Sequence, residues 1–166
     1  MVDVGGKPVS ARAARASGRI TMSAAALGAL RSGSAAKGDA LALARAAGIA
    51  AAKRTFEWIP LCHLVPLDQV AVEIAFEPRR RSVRVEATAS ARWTTGVEME
   101  ALVAVAAALL TLYDMTKAID RSMVLGPVRL EEKSGGRSGT FRARAQRSRR
   151  AAGRSAGAPA RGRRTR

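Results

Sequence analysis

The run ALVAVAAALL at 101–110 holds ten consecutive residues without one polar side chain. It lies inside a segment, about 95 to 119, whose pattern predicts a single long helix. A helix that is apolar on every side has to be covered on every side. A body of about 140 residues has little surface to spare for such cover. The expectation is therefore a domain built around this helix, part of which meets another subunit. No stretch of about 18 apolar residues runs free of charge, so no membrane-spanning helix and no membrane partner are expected.

The elements around the helix point to one fold class. A short helix is expected at 23–31. A second runs from about 40 to 57, N-capped by Asp39 and ended by Pro60, with Leu41, Ala44, Gly48, Ala51 and Ala52 along one stripe. VAVEIAFE (70–77) and SVRVEATASARW (82–93) alternate as strands, joined by Pro78-Arg79-Arg80-Arg81 into a hairpin with one solvated face. SMVLGPVRLEE (122–132) reads as a strand, the glycine-rich KSGGRSG (133–139) as a loop, and about 140–145 as a short strand. Residues 1–19, with Lys7, Arg12, Arg15 and Arg19 and little apolar periodicity, read as an extended arm. This order predicts an α+β fold with an antiparallel sheet and helices on one face.

Charge separates the body from its end. The formal net charge is +16, which first suggests nucleic acid or a membrane surface. Ten arginines and no acid fall between Arg142 and Arg166, leaving 19 basic and 13 acidic residues before them, a net +6. The body is thus only mildly basic. It also lacks a nucleic-acid-binding motif and has only six aromatic residues. Residues 1–146 are expected to form one domain. Residues 147–166, low-complexity Arg/Ala/Gly, are expected to stay disordered and to bind polyanions without specificity.

One cysteine, Cys62, excludes a disulfide within the chain, and with one histidine, His63, the chain cannot supply a four-ligand Cys/His zinc site. No metal is expected. The N-terminal MVDVGGKPVSARAARASGRI has no unbroken apolar run, so a cytoplasmic location is expected.

Several residues could carry chemistry. Asp114 and Lys117 lie three apart on the long helix and share a face. Alone they read as a surface ion pair worth about 0–1 kcal/mol. Their place beyond the apolar run, flanked by Tyr113, Met115 and Ile119, leaves open an acid–base role in which each tunes the other. Glu98 and Glu100 suit a helix N-terminus with no further role. Lys37, before a glycine and a helix start, and the loop KSGGRSG with its two cations could both hold phosphate, although the loop lacks P-loop spacing. Neighbouring Cys62 and His63 make a poor nucleophile–base pair, because adjacent extended residues point apart.

Together these segments resemble a known family. MVDV at 1–4, KGDALALARAAGIAAAKRT at 37–55, IPLCH at 59–63, TGVEMEAL at 95–102, LYDMTKA at 112–118 and MVLGPVRLEEKSGG at 123–136 occur in the order and spacing of the cyclic pyranopterin monophosphate synthases of molybdenum-cofactor biosynthesis. The resemblance covers 1–146. It implies a ferredoxin-like subunit and a homohexamer, a trimer of dimers. Glu100 and Asp114, 14 residues or about 21 Å apart on the predicted helix, lead separately to the expectation of active sites shared between subunits. The resemblance also implies conversion of a cyclised dihydro-GTP into cyclic pyranopterin monophosphate and pyrophosphate, by a lyase that needs no cofactor. By motif, Asp114, Lys117 and Lys37 would be catalytic. Leu61, Cys62, His63, Met99 and Glu100 would line the substrate, and Arg12 would contact phosphate. Three features depart from the family pattern: the chain starts at MVDV, the turn reads CHLVPL where CHPLPL is common, and Ala36 stands where a histidine is frequent. The basic tail is no part of the pattern.

Overall fold

The computed structural model describes residues 1–35 and 37–144. The predicted tail beyond 146 lies outside the described residues. In chain order the elements are β1 (Ser10–Thr21), α1 (Ala24–Ser32), α2 (Ala40–Ala52), α3 (Thr55–Trp58), β2 (Gln69–Glu77), β3 (Ser82–Trp93), α4 (Glu98–Thr116), β4 (Val124–Leu125), β5 (Arg129–Ser134) and β6 (Phe141–Arg142). The sheet order is β2-β3-β1-β5-β6, with β4 also pairing to β1, and every pairing is antiparallel. Taking β1, α2, β2, β3, α4 and β5 alone gives βαββαβ in the order β2-β3-β1-β5, with β1 and β3 central and adjacent, the split arrangement of ferredoxin-like folds. The α+β, ferredoxin-like expectation holds.

The reading of 1–19 as an arm is corrected: Ser10–Thr21 is the central strand, paired to β3 along its whole length and to β5 on its other edge. Its inner side is made of Ala14, Ala16, Gly18 and Ile20, all buried. Residues this small give little hydropathic contrast against the interleaved Arg15 and Arg19. The small residues are there because α4 sits on them. A Cβ on Gly18 would stand 2.7 Å from Val105 Cγ1 and 2.8 Å from Leu109 Cδ1.

The same logic joins the helices. α2 lies against α4 through Gly48, where an added Cβ would come within 2.8 Å of the Ala104 carbonyl oxygen and 3.1 Å of Val72. Ala44, Ala51 and Ala52 are buried with it. α2 stops at Ala52, earlier than the predicted 57. There the buried Thr55 hydroxyl donates to the carbonyl of Ala52 at 3.0 Å and to that of Ala51 at 3.5 Å, closing the helix end. The predicted strand 122–132 is divided in two around Gly126-Pro127, since proline has no N–H for the ladder.

α4, with a mean hydropathy of 1.5, is long and apolar enough to cross a membrane by length and composition. Here it is the core of the domain, packed on the sheet beside α2, which itself reaches β2 where Gly48 meets Val72. The all-apolar run is almost wholly covered within the chain, more than the sequence suggested. Leu110 is the large residue left open, 52% exposed.

Candidate active site

α4 carries candidate functional groups at both ends. At its C-terminal end, Asp114 accepts one ammonium on each carboxylate oxygen: Lys37 Nζ to Oδ2 at 2.6 Å and Lys117 Nζ to Oδ1 at 2.7 Å. Lys117 comes from the next turn of the same helix. Lys37 arrives from the loop between α1 and α2, 77 residues away in sequence. That loop is held at both sides. Gly33, in left-handed conformation, ends α1, and the Asp39 side chain caps α2 by accepting from the amides of Leu41 at 3.0 Å and Ala42 at 2.9 Å. The three residues are about half exposed. The hydrogen bonds from Lys117 and then Lys37 hold the Asp114 carboxyl down at about 2. It is therefore ionised throughout the neutral range. Ala36, just before this lysine, lies outside the described residues.

At the N-terminal end the groups differ. Glu100 is buried, 4% exposed, in the first turn of α4. Burial, reinforced by the nearby charge of Glu98, pushes its carboxyl up to about 7. The Cys62 thiol is raised by its own burial and then by the charge of Glu100. The turn after α3 therefore brings Cys62 near Glu100, while α2 brings Lys37 to Asp114, so α2 and α4 run antiparallel. His63 is half-buried on this turn and Leu61 points into solvent, 70% exposed. Met99 is half-buried beside Glu100.

Glu100 makes stability depend on pH in a definite direction. Its folded-state value lies above the ordinary 4.5, so the folded protein holds the proton longer than the unfolded chain. Stability should fall as pH rises from about 4.5 through about 7. Glu100→Gln should remove this loss and gain on the wild type between pH 5 and pH 8, by at most about 3 kcal/mol. Urea denaturation at the two pH values checks this. Equal differences at both would show that Glu100 is ionised in the fold at pH 5.

Arg12 lies on the same side. Its Nε donates to the carbonyl of Trp93 at 3.4 Å and Nη2 to that of Thr94 at 3.2 Å. Its guanidinium lies against Gly136, at a place that a Cβ there would occupy. Around it is a cavity of about 570 Å³, bordered by Lys7, Ser10, Arg12, the 94–96 turn, Glu98, Lys133 and the glycine loop through Ser138. Lys7, Arg12, Lys133 and Arg137 set four positive charges against Glu98 among the described residues lining it. Gly135 and Gly136 have φ of +92° and +71°, which lets the loop turn in tightly.

The structure thus brings Asp114, Lys117 and Lys37 together at one end, and Arg12, Met99, Glu100, Cys62 and His63 toward the other. The ends are far apart. Glu100 and Asp114 are 14 residues apart on one helix, about 21 Å. The sequence reading singled out Arg12 and judged KSGGRSG suited to phosphate, but did not join Lys7, Lys133 and Arg137 to Arg12 in one cavity. The spacing Ser10-x-Arg12, two residues on one strand face, was the available signal.

Comparison with known proteins adds the following. The model of the MoaC family matches residues 1–136. A protein of Parvibaculum lavamentivorans, named cyclic pyranopterin monophosphate synthase, is 50% identical over 144 residues, covering 87% of this chain and 90% of its own. One of Mycobacterium tuberculosis, named cyclic pyranopterin monophosphate synthase 1, is 55% identical over 143 residues, covering 86% of this chain and 83% of its own. One of Thermomicrobium roseum with the first name is 53% identical over 142 residues, covering 86% of each chain.

Proposed function

We propose, because this chain belongs to the MoaC family, that it is a cyclic pyranopterin monophosphate synthase acting on a cyclised dihydro-GTP in molybdenum-cofactor biosynthesis. The observation that carries the reading is the pairing of a basic cavity around Arg12 with an Asp114 carboxylate clamped by two lysines. A triphosphate that cyclises at its innermost phosphate and expels pyrophosphate develops negative charge on the leaving group. Arg12, Lys133 and Arg137 are suited to meet that charge. A cavity of about 570 Å³ also falls in the ordinary range for small-molecule sites.

Rearranging a purine-derived ring into a pterin needs protons moved between carbon, nitrogen and oxygen. Asp114, Lys37 and Lys117 supply one carboxylate and two ammonium groups for this. While both lysines grip it, Asp114 is a weak base. A substrate phosphate or carbonyl drawing one ammonium away would raise its basicity at the moment of use. This makes Asp114 the proton-transfer residue and the lysines both its regulators and proton donors. Cys62, His63, Met99 and Glu100 form the other wall, against the substrate's ring.

One chain cannot present both ends of α4 to one substrate. The reading therefore includes an oligomer in which the Arg12–Glu100 end of one subunit faces the Asp114 end of another, and the resemblance to the family implies a trimer of dimers. The groove beside Asp114, about 440 Å³ between Trp58 and Leu110 and floored by alanines, is left for such a partner. A single cysteine and no disulfide suit the cytoplasm.

The test is direct. Purified protein given the cyclised dihydro-GTP should release one pyrophosphate per pterin formed, and given GTP itself should release none. Absence of pyranopterin from the cyclised substrate would end the proposal.

A further inference from the structure

The cavity around Arg12 contains a group that the fold itself leaves unused. Ser10 Oγ is buried and has no hydrogen-bond partner among the described residues. A buried hydroxyl without a partner is unfavourable, and native proteins rarely keep one without a use for it. Ser10 opens β1, opposite Trp93 of β3. Two residues on, Arg12 shares its side of the strand and borders the same cavity, together with Lys7 and Lys133. Gly135 borders the same cavity and packs so closely on β1 that a Cβ, at its φ of +92°, would be driven into the Ala11 carbonyl. The cavity that Ser10 borders is lined by the cations Lys7, Arg12, Lys133 and Arg137, and the unpartnered hydroxyl stands among them.

We infer that Ser10 is an anion-binding residue whose hydroxyl donates to a phosphate oxygen held by Arg12 and Lys133. This rests on the reading of the cavity as the triphosphate end of the site. The hydroxyl adds a short donor from β1 itself, which fixes which oxygen faces the strand while the cations supply the charge. Glu98, the carboxylate bordering the cavity, folds over Gly96 at the start of α4, so the Ser10 side is the open one for an anion.

Ser10→Ala and Ser10→Thr in the full chain test the inference, with inorganic pyrophosphate titrated by calorimetry and Tm measured without ligand. Ser10→Ala should weaken pyrophosphate about tenfold, the usual range for a hydrogen bond to a charged group, and should raise KM for the cyclised substrate by a similar factor with kcat little changed. Its ligand-free Tm should be unchanged or slightly higher, because the alanine removes an unpaired polar group. Ser10→Thr keeps the hydroxyl and should bind pyrophosphate nearly as the wild type does. Undiminished binding in Ser10→Ala would overturn the inference. So would a lowered ligand-free Tm or failure to fold, either of which makes the hydroxyl structural, and so would a wild type that binds no pyrophosphate. Failure of the wild type to turn over the cyclised substrate, with pyrophosphate binding still dependent on Ser10, would instead remove the proposed function and leave the anion site.

Discussion

Asp114→Ala should lower kcat by about 10²- to 10⁴-fold, the range associated with removing a positioned acid–base group, and leave the fold intact. Asp114 is at the surface, and its ion pairs to Lys37 and Lys117 are half exposed, so their loss should hardly move Tm. Its carboxyl, held at about 2, contributes stability that is present above the ordinary carboxylate range and lost only as pH falls toward 2. At neutral pH that contribution is fully present, but it is small because the pairs are half exposed. Asp114→Asn separates two roles. The amide keeps the size and can still accept one hydrogen bond, but it cannot take a proton. If Asp114 transfers protons, the asparagine variant should be as inactive as the alanine one. If it only anchors the lysines, asparagine should recover much of the rate. Steady-state kinetics and circular dichroism on the two variants decide this. A kcat within a few-fold of wild type in Asp114→Ala would refute the assignment altogether.

How much of this was legible in the sequence depends on where the information sat. α4 was readable because ten consecutive apolar residues admit few alternatives, and the observed Glu98–Thr116 falls inside the expected 95–119. The Asp39 cap was readable because capping is a local matter of two amides. The hairpin strands came out within one residue, since Val, Ile and Phe alternate with charged or small residues there. β1 was not readable. Its buried side is Ala, Ala, Gly, Ile, and small residues signal burial only once the helix they admit is known. The basic cavity was hidden for a different reason. Lys7 and Arg12 are more than 120 residues from Lys133 and Arg137 and meet only through the register that sets Ala13 opposite Ser134. Asp114 and Lys117, by contrast, were adjacent on one helix, and only Lys37 had to be brought from afar.

Mixing inactive Glu100→Ala with inactive Asp114→Ala should restore about a quarter of wild-type activity once subunits have exchanged. The geometry behind this is simple. α4 is one unbroken helix, so about 21 Å separates the two residues in any single chain. No nucleotide-sized ligand brings both to one reacting centre. If Glu100 and Asp114 serve one reaction, as proposed, each site combines Glu100 of one chain with Asp114 of another. In a dimer with two such sites, a mixed pair has one site carrying both substitutions and one carrying neither. Random exchange makes about half of all dimers mixed, and half of their sites are intact, which gives the quarter. The open side chains beside Asp114 fit this arrangement. Leu110 at 52% and Trp58 at 49% exposure border the groove, and a partner's Cys62 turn set there would cover them while completing the site. Exchange is checked by mixing tagged and untagged protein and recovering mixed oligomers on the tag. Mixed oligomers without activity would show that each chain works alone. Full activity in a dilute monomer would show the same.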